Sequence, residues 1–254
     1  MGTIVAVVNQ KGGVGKTTTA VSLTAALHEL GLKVLLCDFD PQANATSGMG
    51  LDKRKIKHDA YDVTVDQLPV AQAIVSTEYG DVLPSSADLA GAAIEFIGAS
   101  NRERRLSQAL EAVRANYDVI FIDCPPSLEM LTLNGLCAAD SILVPVQCEY
   151  FALEGLSDLM STLRSVKRRL NPRLEIFGVA LTMFDGRTNF SAQVAQEVRR
   201  HFPGKVFSSV VPRNIRLAEA PSHGVPVTVY DKQSRGAKAY KAMAEEIRAK
   251  LRKD

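Results

Sequence analysis

The chain has 254 residues, 46% of them hydrophobic, and a formal net charge of +2, which is enough apolar material for a full core in one domain over residues 1–254. It contains no run of about 18 uninterrupted apolar residues and no signal-peptide pattern, so we expect a cytoplasmic protein without a transmembrane helix. Its four cysteines and four histidines show no metal-type spacing, which argues against a disulfide framework or a metal cluster.

The first predicted elements are a strand, a glycine-rich loop and a helix. Ile4–Val8 is typical of a buried parallel strand, and Thr17–Leu30 has helical spacing without an interior proline. In that setting the loop glycines let backbone N–H groups wrap a phosphate at a helix end that favours anions. A lysine and a threonine follow, the first to neutralise the β- and γ-phosphates of ATP, the second to ligate Mg²⁺. The predicted cradle is Gly12, Gly13, Val14, Gly15, Lys16, Thr17 and Thr18.

The loop differs from the general phosphate-loop pattern. That pattern requires glycine at position 10, where this chain has Gln10, and an additional lysine, Lys11, stands before the glycines. A turn that merely joins a strand to a helix would explain neither Lys11 nor Lys16. A lysine that leaves the loop before its first cradle residue can point across a symmetric interface, where a second ATP offers negative charge. Lys11 is therefore a candidate contact to a nucleotide bound by a second subunit.

The next apolar run, Lys33–Cys37, ends at Asp38 and Asp40. A carboxylate at the C-terminal end of a parallel strand lies in the crevice where such sheets bind ligands. We expect only one of the two to face the γ-phosphate. The alternative is a pair of aspartates that merely end a strand and begin a turn.

A third buried strand is predicted at Tyr117–Ile122 and is followed by Asp123. Asp123 matches a Walker B carboxylate, which holds Mg²⁺ directly or through water. Pro125 and Pro126 stop the strand and stiffen the turn that carries this carboxylate. An apolar run ending in aspartate is common, so the prediction depends on the order of all three phosphate-site elements.

The remaining pattern alternates strands and helices, which predicts a doubly wound, mostly parallel α/β sheet with helices on both faces. Further strands are predicted at Gly80–Pro84, Ser141–Gln147, Glu175–Met183, Val206–Val211 and Val225–Tyr230. Further helices are predicted at Leu89–Phe96, Arg102–Asn116, Glu154–Asn171, Ser191–Phe202 and Ala237–Leu251. The longest irregular stretch, Gly48–Asp62, contains a charge run and is predicted to be a surface excursion.

Charge is distributed unevenly along the chain. Residues 1–150 carry a net charge of −7, and residues 151–254 carry +9. The C-terminal part is therefore the candidate surface for a polyanion. The alternative is that its helical clusters are ordinary solvated faces.

Residues 11–18, Lys-Gly-Gly-Val-Gly-Lys-Thr-Thr, are similar to the deviant Walker A motif of the ParA/MinD class of P-loop ATPases. Residues 147–155, 185–189 and 211–226 resemble segments of ParA/Soj-type chromosome-partition ATPases. The resemblance runs from Ile4 to about Ile247. It implies a P-loop ATPase that uses ATP and Mg²⁺.

The resemblance also implies roles for the residues of the phosphate site. Lys11 would reach the nucleotide of the opposite subunit in a sandwich dimer, and Asp40 would position the attacking water. Lys11, Lys16 and Asp40 would thus be the catalytic residues. Asp38 would lie nearer the metal or the loop, so that it joins Thr17 and Asp123 as a candidate metal ligand.

Four further residues match family positions in the C-terminal part. Pro212 and Asn214 would border the adenine, where a carboxamide can satisfy both donor and acceptor positions on a base edge. Arg187 and Arg216 match positions used to bind DNA. Because the chain starts directly at its first strand, without a helix-turn-helix segment, we expect the DNA contact to be nonspecific.

The predicted function is an ATP-dependent DNA-partitioning switch at the nucleoid. Its ATP-bound dimer would bind double-stranded DNA, and hydrolysis stimulated by a ParB-type centromere-binding protein would release it. The alternative is a MinD-like ATPase on the membrane surface, but the apolar stripe at Tyr240, Met243, Ala244, Ile247 and Leu251 is narrow and favours packing on the sheet over stable membrane insertion. A nucleotide-gated scaffold without useful hydrolysis is a third possibility, against which Asp40 argues.

Overall fold

The computed structural model describes residues 2–127, 129–149 and 152–252. Its strands are β1 (Thr3–Val7), β2 (Val34–Asp38), β3 (Val75–Thr77), β4 (Gly80–Leu83), β5 (Val119–Asp123), β6 (Ser141–Gln147) and β7 (Glu175–Thr182). They form one sheet in the order β3-β4-β2-β5-β1-β6-β7. All neighbouring pairs are parallel except β3 with β4. The predicted mostly parallel sheet is confirmed, with one antiparallel strand at its edge.

Helices cover both faces of this sheet, as predicted. They are α1 (Lys16–Glu29), α2 (Asn44–Gly48), α3 (Ala60–Thr64), α4 (Val70–Ala73), α5 (Ala92–Glu95), α6 (Arg105–Glu111), α7 (Met130–Ala138), α8 (Ala152–Arg169), α9 (Asn189–His201), α10 (Ile215–Glu219), α11 (Val227–Tyr230) and α12 (Arg235–Leu251). Short 3-10 helices lie at Lys53–Lys55, Ala87–Gly91, Arg102–Arg104, Arg114–Asn116 and Ala220–His223. Two apolar clusters result, one on each side of the sheet.

The predicted strand at Val206–Val211 is wrong. This segment runs beside β7 and shares backbone hydrogen bonds with it, including Phe207 N–H to the Val179 carbonyl at 3.0 Å. However, the N–H groups of Ser208 and Ser209 donate to the carboxylate of Glu246 on α12 instead of to a strand. The ladder is therefore reduced to isolated bridges at Val206 and Pro212.

The predicted strand at Val225–Tyr230 is also wrong, because Pro226 caps the N-terminus of α11, whose last residue is Tyr230. β-Branched residues favour strands, but here the preference is overridden by the local turn.

Two predicted helices are broken into shorter pieces. The prediction at Leu89–Phe96 corresponds to a 3-10 turn and one turn of α5, and the prediction at Arg102–Asn116 to α6 between two 3-10 turns. Parts of the Gly48–Asp62 excursion are helical as well, at Lys53–Lys55 and from Ala60 onward.

Helix α12 packs against α1, the helix that follows the phosphate loop. Tyr240, Met243, Ala244 and Ile247 are at most 1% exposed and face the core. The Tyr240 hydroxyl shares a 2.9 Å hydrogen bond with the hydroxyl of Thr19 on α1, and both groups are buried. Among the described residues, no helix has the length and apolar character needed to cross a bilayer.

We expect Gly178→Ala to lower the free energy of unfolding by about 1–3 kcal/mol, the usual range for overpacking a tight core. A Cβ at Gly178 on β7 would lie 2.4 Å from the Phe207 ring, so the ring that closes this side of the sheet would have to move. Urea unfolding measures the change. Gly155→Ala in α8 is the matched control, because no atom lies within 4 Å of the added Cβ and alanine favours helix. Equal stability of Gly178→Ala and the parent would contradict this packing.

Candidate functional site

The loop between β1 and α1 forms an open cradle at the C-terminal edge of the sheet. Gly13 and Gly15 adopt positive φ angles of 74° and 90°, which a residue with a side chain adopts only with strain. Gly15 is the N-cap of α1 and supplies no side-chain cap. The first N–H groups of a 14-residue helix therefore face the cradle, an arrangement that suits an anion.

Two side chains that the sequence did not point to hold the cradle in place. The Thr182 hydroxyl, at the end of β7, donates to the Val14 carbonyl at 2.9 Å. The buried Asn9 carboxamide donates to the Pro145 carbonyl at 2.7 Å and accepts from the Lys11 N–H at 3.0 Å. The two ends of the loop are thus tied to β6 and β7.

The two loop lysines are directed to different places. The Lys16 ammonium is 7% exposed and donates across the loop to the Lys11 carbonyl at 3.2 Å. Burial lowers the pKa of Lys16, an effect that the charges of Asp123 and Asp40 oppose. The Lys11 side chain instead leaves the cradle and places its ammonium 4.0 Å from the carboxylate of Glu149. Lys16 therefore serves its own loop, whereas Lys11 extends away from it.

Asp38 and Asp123 face each other on neighbouring strands. They are register partners in the β2–β5 pair, and both are fully buried. Burial raises the pKa of Asp123 well above its usual range, and the nearby Asp38 adds to the shift. In the part of the chain that the structure describes, neither carboxylate oxygen of Asp123 has a partner in full hydrogen-bond geometry, and the nearby Thr17 hydroxyl opposes the rise in the pKa of Asp123. Two unpaired buried carboxylate oxygens beside a phosphate cradle fit the hard-oxygen preference of Mg²⁺.

Asp38, by contrast, is held by three protein donors. Its carboxylate accepts from the N–H and the hydroxyl of Thr46 on α2, each at 2.7 Å, and from the Asp40 N–H at 3.3 Å. Burial raises the pKa of Asp38 to about 6, although the Thr46 hydrogen bonds oppose the shift. The Thr46 hydroxyl also accepts from the Ser85 N–H at 2.9 Å. Asp38 thereby fastens α2 to the sheet.

Asp40 lies two residues beyond the end of β2, where the chain turns toward α2. It is 8% exposed, and one carboxylate oxygen accepts from the Gln42 N–H at 2.9 Å. Within the described chain, no other hydrogen bond to this carboxylate is present. Asp40 therefore retains more acceptor capacity than Asp38.

A cavity of about 360 Å³ opens beside the cradle. Gly15 and Thr18 line one side, and Pro212 and Asn214 line another. The Asn214 carboxamide oxygen caps α10 by accepting from the Arg216 N–H at 2.9 Å. The structure thus brings the two predicted base-contact residues to the phosphate loop, although they are about 200 residues away in sequence.

Arg187 and Arg216 are both exposed, and both are paired with carboxylates of their own chain. Arg187 forms a bidentate ion pair with Asp185, through Nε at 2.9 Å and Nη2 at 2.7 Å. Arg216 contacts Glu219 at 2.8 Å and Asp231 at 3.3 Å. Their segments are adjacent, because the Arg213 N–H donates to the Phe184 carbonyl at 3.0 Å. Tyr150 and Phe151, within the 147–155 motif, lie outside the described residues.

Comparison with known proteins gives a consistent assignment. Residues 2–176 match the model of an AAA domain family. The chain is 55% identical to the sporulation initiation inhibitor protein Soj of Bacillus subtilis, over 98% of this chain and 99% of that protein. It is 51% identical to the chromosome partitioning protein ParA of Caulobacter vibrioides, over 96% of this chain and 93% of that protein.

Two solved structures share the fold over nearly their whole length. One is cobyrinic acid a,c-diamide synthase from Mycobacterium smegmatis with bound ADP and magnesium, with a TM-score of 0.87, 37% identity and coverage of 99% of this chain and 96% of that chain. The other is the septum site-determining protein MinD from Pyrococcus horikoshii complexed with Mg-ADP, with a TM-score of 0.80, 28% identity and coverage of 97% and 96%.

Proposed function

The chain belongs to the Soj/ParA family of chromosome-partitioning ATPases, and on that premise we propose that it is a DNA-partitioning switch whose ATP-bound sandwich dimer holds nonspecific DNA. The observation that carries the proposal is the divergence of the two loop lysines, with Lys16 folded into its own cradle and Lys11 extended away from it. A cation that serves a second nucleotide has to leave its own site in this way. The whole chain acts as one P-loop ATPase domain.

ATP and Mg²⁺ are the cofactors of this site. The cradle at the N-terminus of α1 suits the phosphates, and the relatives solved with ADP and magnesium support the pairing. Asp123, with its unpaired carboxylate oxygens, and the hydroxyl of Thr17 would hold the metal, which neutralises charge on the β- and γ-phosphates when bound. Asp38, with one oxygen already held by Thr46, would support the metal site through the loop.

In this proposal Asp40 positions the attacking water. Its carboxylate keeps free acceptor capacity, and the Gln42 N–H fixes one oxygen at 2.9 Å. Orienting a water and accepting its proton requires such a held but unsaturated base. Hydrolysis would separate the subunits and release the DNA. A ParB-type protein bound at a centromere-like site would stimulate this step, and the ATP-bound form would be associated with the nucleoid.

A DNA-binding assay tests the proposal through Arg216→Ala. Phosphate contacts dominate nonspecific binding, so loss of one cation should weaken binding to every sequence and make the logarithmic salt slope shallower by about 0.9 per subunit. We expect ATP binding and dimerisation to persist, and Arg187→Ala to act in the same direction more modestly. Fluorescence anisotropy with random duplex, across a salt titration, measures the slope. Parent-like binding of Arg216→Ala, or loss of dimerisation in parallel, would contradict the role.

The ion pair at Arg216 leads to a prediction of the opposite sign. Asp231 competes with DNA phosphates for the guanidinium, at 3.3 Å, so Asp231→Asn should tighten DNA binding. Asparagine keeps the oxygen that accepts from the Gln233 and Ser234 N–H groups, which preserves the turn. Weaker or unchanged DNA affinity of Asp231→Asn in the same assay would show that the carboxylate does not restrain Arg216.

Two other activities have weaker support. A MinD-like membrane role requires an apolar stripe available to lipid, but the α12 stripe is packed against the core from Tyr240 to Ile247. The diamide synthase among the solved structures bears the name of another activity, yet it is 37% identical, against 55% and 51% for Soj and ParA. Partitioning is therefore the proposed role.

A further inference from the structure

The charge run that follows α2 lies beside the turn at residues 220–224, which is close in sequence to Arg216. Residues 52–57 contain four Lys/Arg and one Asp, and they fold into the 3-10 turn Lys53–Lys55. Gly50, just before the run, packs on Gly224, whose carbonyl would lie 3.2 Å from a Cβ at position 50. The start of the charge run is therefore held beside the 220–224 turn.

An open groove of about 610 Å³ separates the two segments. Lys53 and Arg54 line one wall, while Ser222 and His223 line the other. The His223 ring stacks on Tyr230 with centroids 4.8 Å apart, and the Tyr230 hydroxyl donates to Glu219 at 3.3 Å. Glu219 in turn pairs with Arg216. A continuous series of contacts thus joins the groove to the proposed DNA contact.

We propose that this groove, here called the 52–57 groove, is a second phosphate-contact site for the duplex DNA held at Arg216. The inference rests on the proposed function and extends its DNA footprint to Arg54, Lys55 and His223. The side chains of Arg54 and Lys55 are 89% and 84% exposed, as expected of cations that reach a backbone of phosphates.

The chemistry of the lining favours nucleic acid over a protein partner. Protein interfaces concentrate their binding energy in a few well-packed, desolvated residues, chiefly Trp, Tyr and Arg. The lining of the groove consists instead of exposed basic, hydroxyl and imidazole groups, with Leu51 and Pro221 as its apolar side chains. Asp52 is the one acidic residue of the lining, and it neutralises Arg54 and Lys55 by ion pairs of 3.1 and 3.9 Å.

The test uses two variants with opposite expected effects. Arg54→Ala should weaken binding of the ATP-analogue-bound protein to random duplex and reduce the salt slope by about 0.9 per subunit. Asp52→Asn should tighten binding, because it removes a negative charge from the groove while the carboxamide still caps the 3-10 turn. Lys53 is avoided as a test position because its ammonium donates to the Gln42 carbonyl in the loop that carries Asp40.

Lys33→Ala is the matched control. This exposed cation precedes β2 and does not line the groove, and its removal should leave binding unchanged. If Arg216→Ala loses affinity while Arg54→Ala behaves like Lys33→Ala, the groove inference is wrong and the partitioning function stands. If the parent does not bind duplex with the ATP analogue, both are overturned. Loss of binding to phosphatidylglycerol vesicles, rather than to DNA, in Arg54→Ala would also overturn the assignment to DNA.

Discussion

Lys16→Ala is expected to weaken ATP binding by about a hundredfold. The buried ammonium is held inside the cradle by the Lys11 carbonyl, where it would face the most highly charged part of the nucleotide. Loss of a hydrogen-bonded charge at a buried site removes up to about 3 kcal/mol of interaction, and each 1.4 kcal/mol corresponds to a factor of ten in Kd. Without it, backbone N–H groups alone would hold the triphosphate.

Equilibrium dialysis with labelled ATP measures the change, and thermal unfolding without nucleotide provides the folding control. Burial outweighs the attraction of Asp123 and Asp40 in lowering the pKa of Lys16, so the charged amine does not stabilise the empty protein. Lys16→Ala should therefore remain folded. Lys33→Ala should bind ATP like the parent. Unchanged ATP affinity in folded Lys16→Ala would show that the loop is not the nucleotide site.

Lys11→Ala is expected to lose ATP-dependent dimerisation, whereas Asp40→Ala is expected to lose ATP turnover. Lys11 extends out of its own cradle toward Glu149, so its loss should leave much of the ATP affinity but prevent ATP-dependent dimerisation. Asp40→Ala should bind ATP and dimerise, yet lower turnover by about a hundredfold or more, the usual contribution of a positioned general base. ATP-bound dimer should therefore accumulate in Asp40→Ala.

Light scattering with ATP and a phosphate-release assay separate the two effects. Asp40→Asn is the matched variant for Asp40, because its carboxamide oxygen can still accept from Gln42 N–H while it no longer acts as a base. It should behave like Asp40→Ala in turnover. If Lys11→Ala and Asp40→Ala both dimerised and turned over ATP like the parent, the role of Lys11 at the opposite site and of Asp40 at the water would be wrong.

The parts of the structure that are governed by local pattern were predictable. The strand at Ser141–Gln147 has the predicted bounds, and the loop before α1 lies at the predicted edge of the sheet. Apolar runs between turn residues mark parallel strands because both faces of such strands are buried. Asp38 and Asp123 also come together as expected for carboxylates at the ends of adjacent strands.

The remaining features depend on contacts that are distant in sequence. The Thr182 bond to Val14 joins residues 168 positions apart, and the displacement of the 206–211 segment from a full ladder depends on Glu246. Helix α7 was not predicted because its polar residues Thr132 and Asn134 are buried along with its apolar ones, so the sequence shows no amphipathic helical period. Thr46 likewise gave no motif signal, although it fixes Asp38 and Ser85 together.

The central claim is that nucleotide state controls DNA binding through the dimer. The most direct test is a salt titration of binding to random duplex, with the parent protein loaded with either a non-hydrolysable ATP analogue or ADP. The dimer presents two sets of basic residues to one duplex, so the account predicts strong binding with the analogue, a slope about twice that of a single subunit, and weak binding with ADP. Equal affinity and equal slope in the two nucleotide states would contradict it.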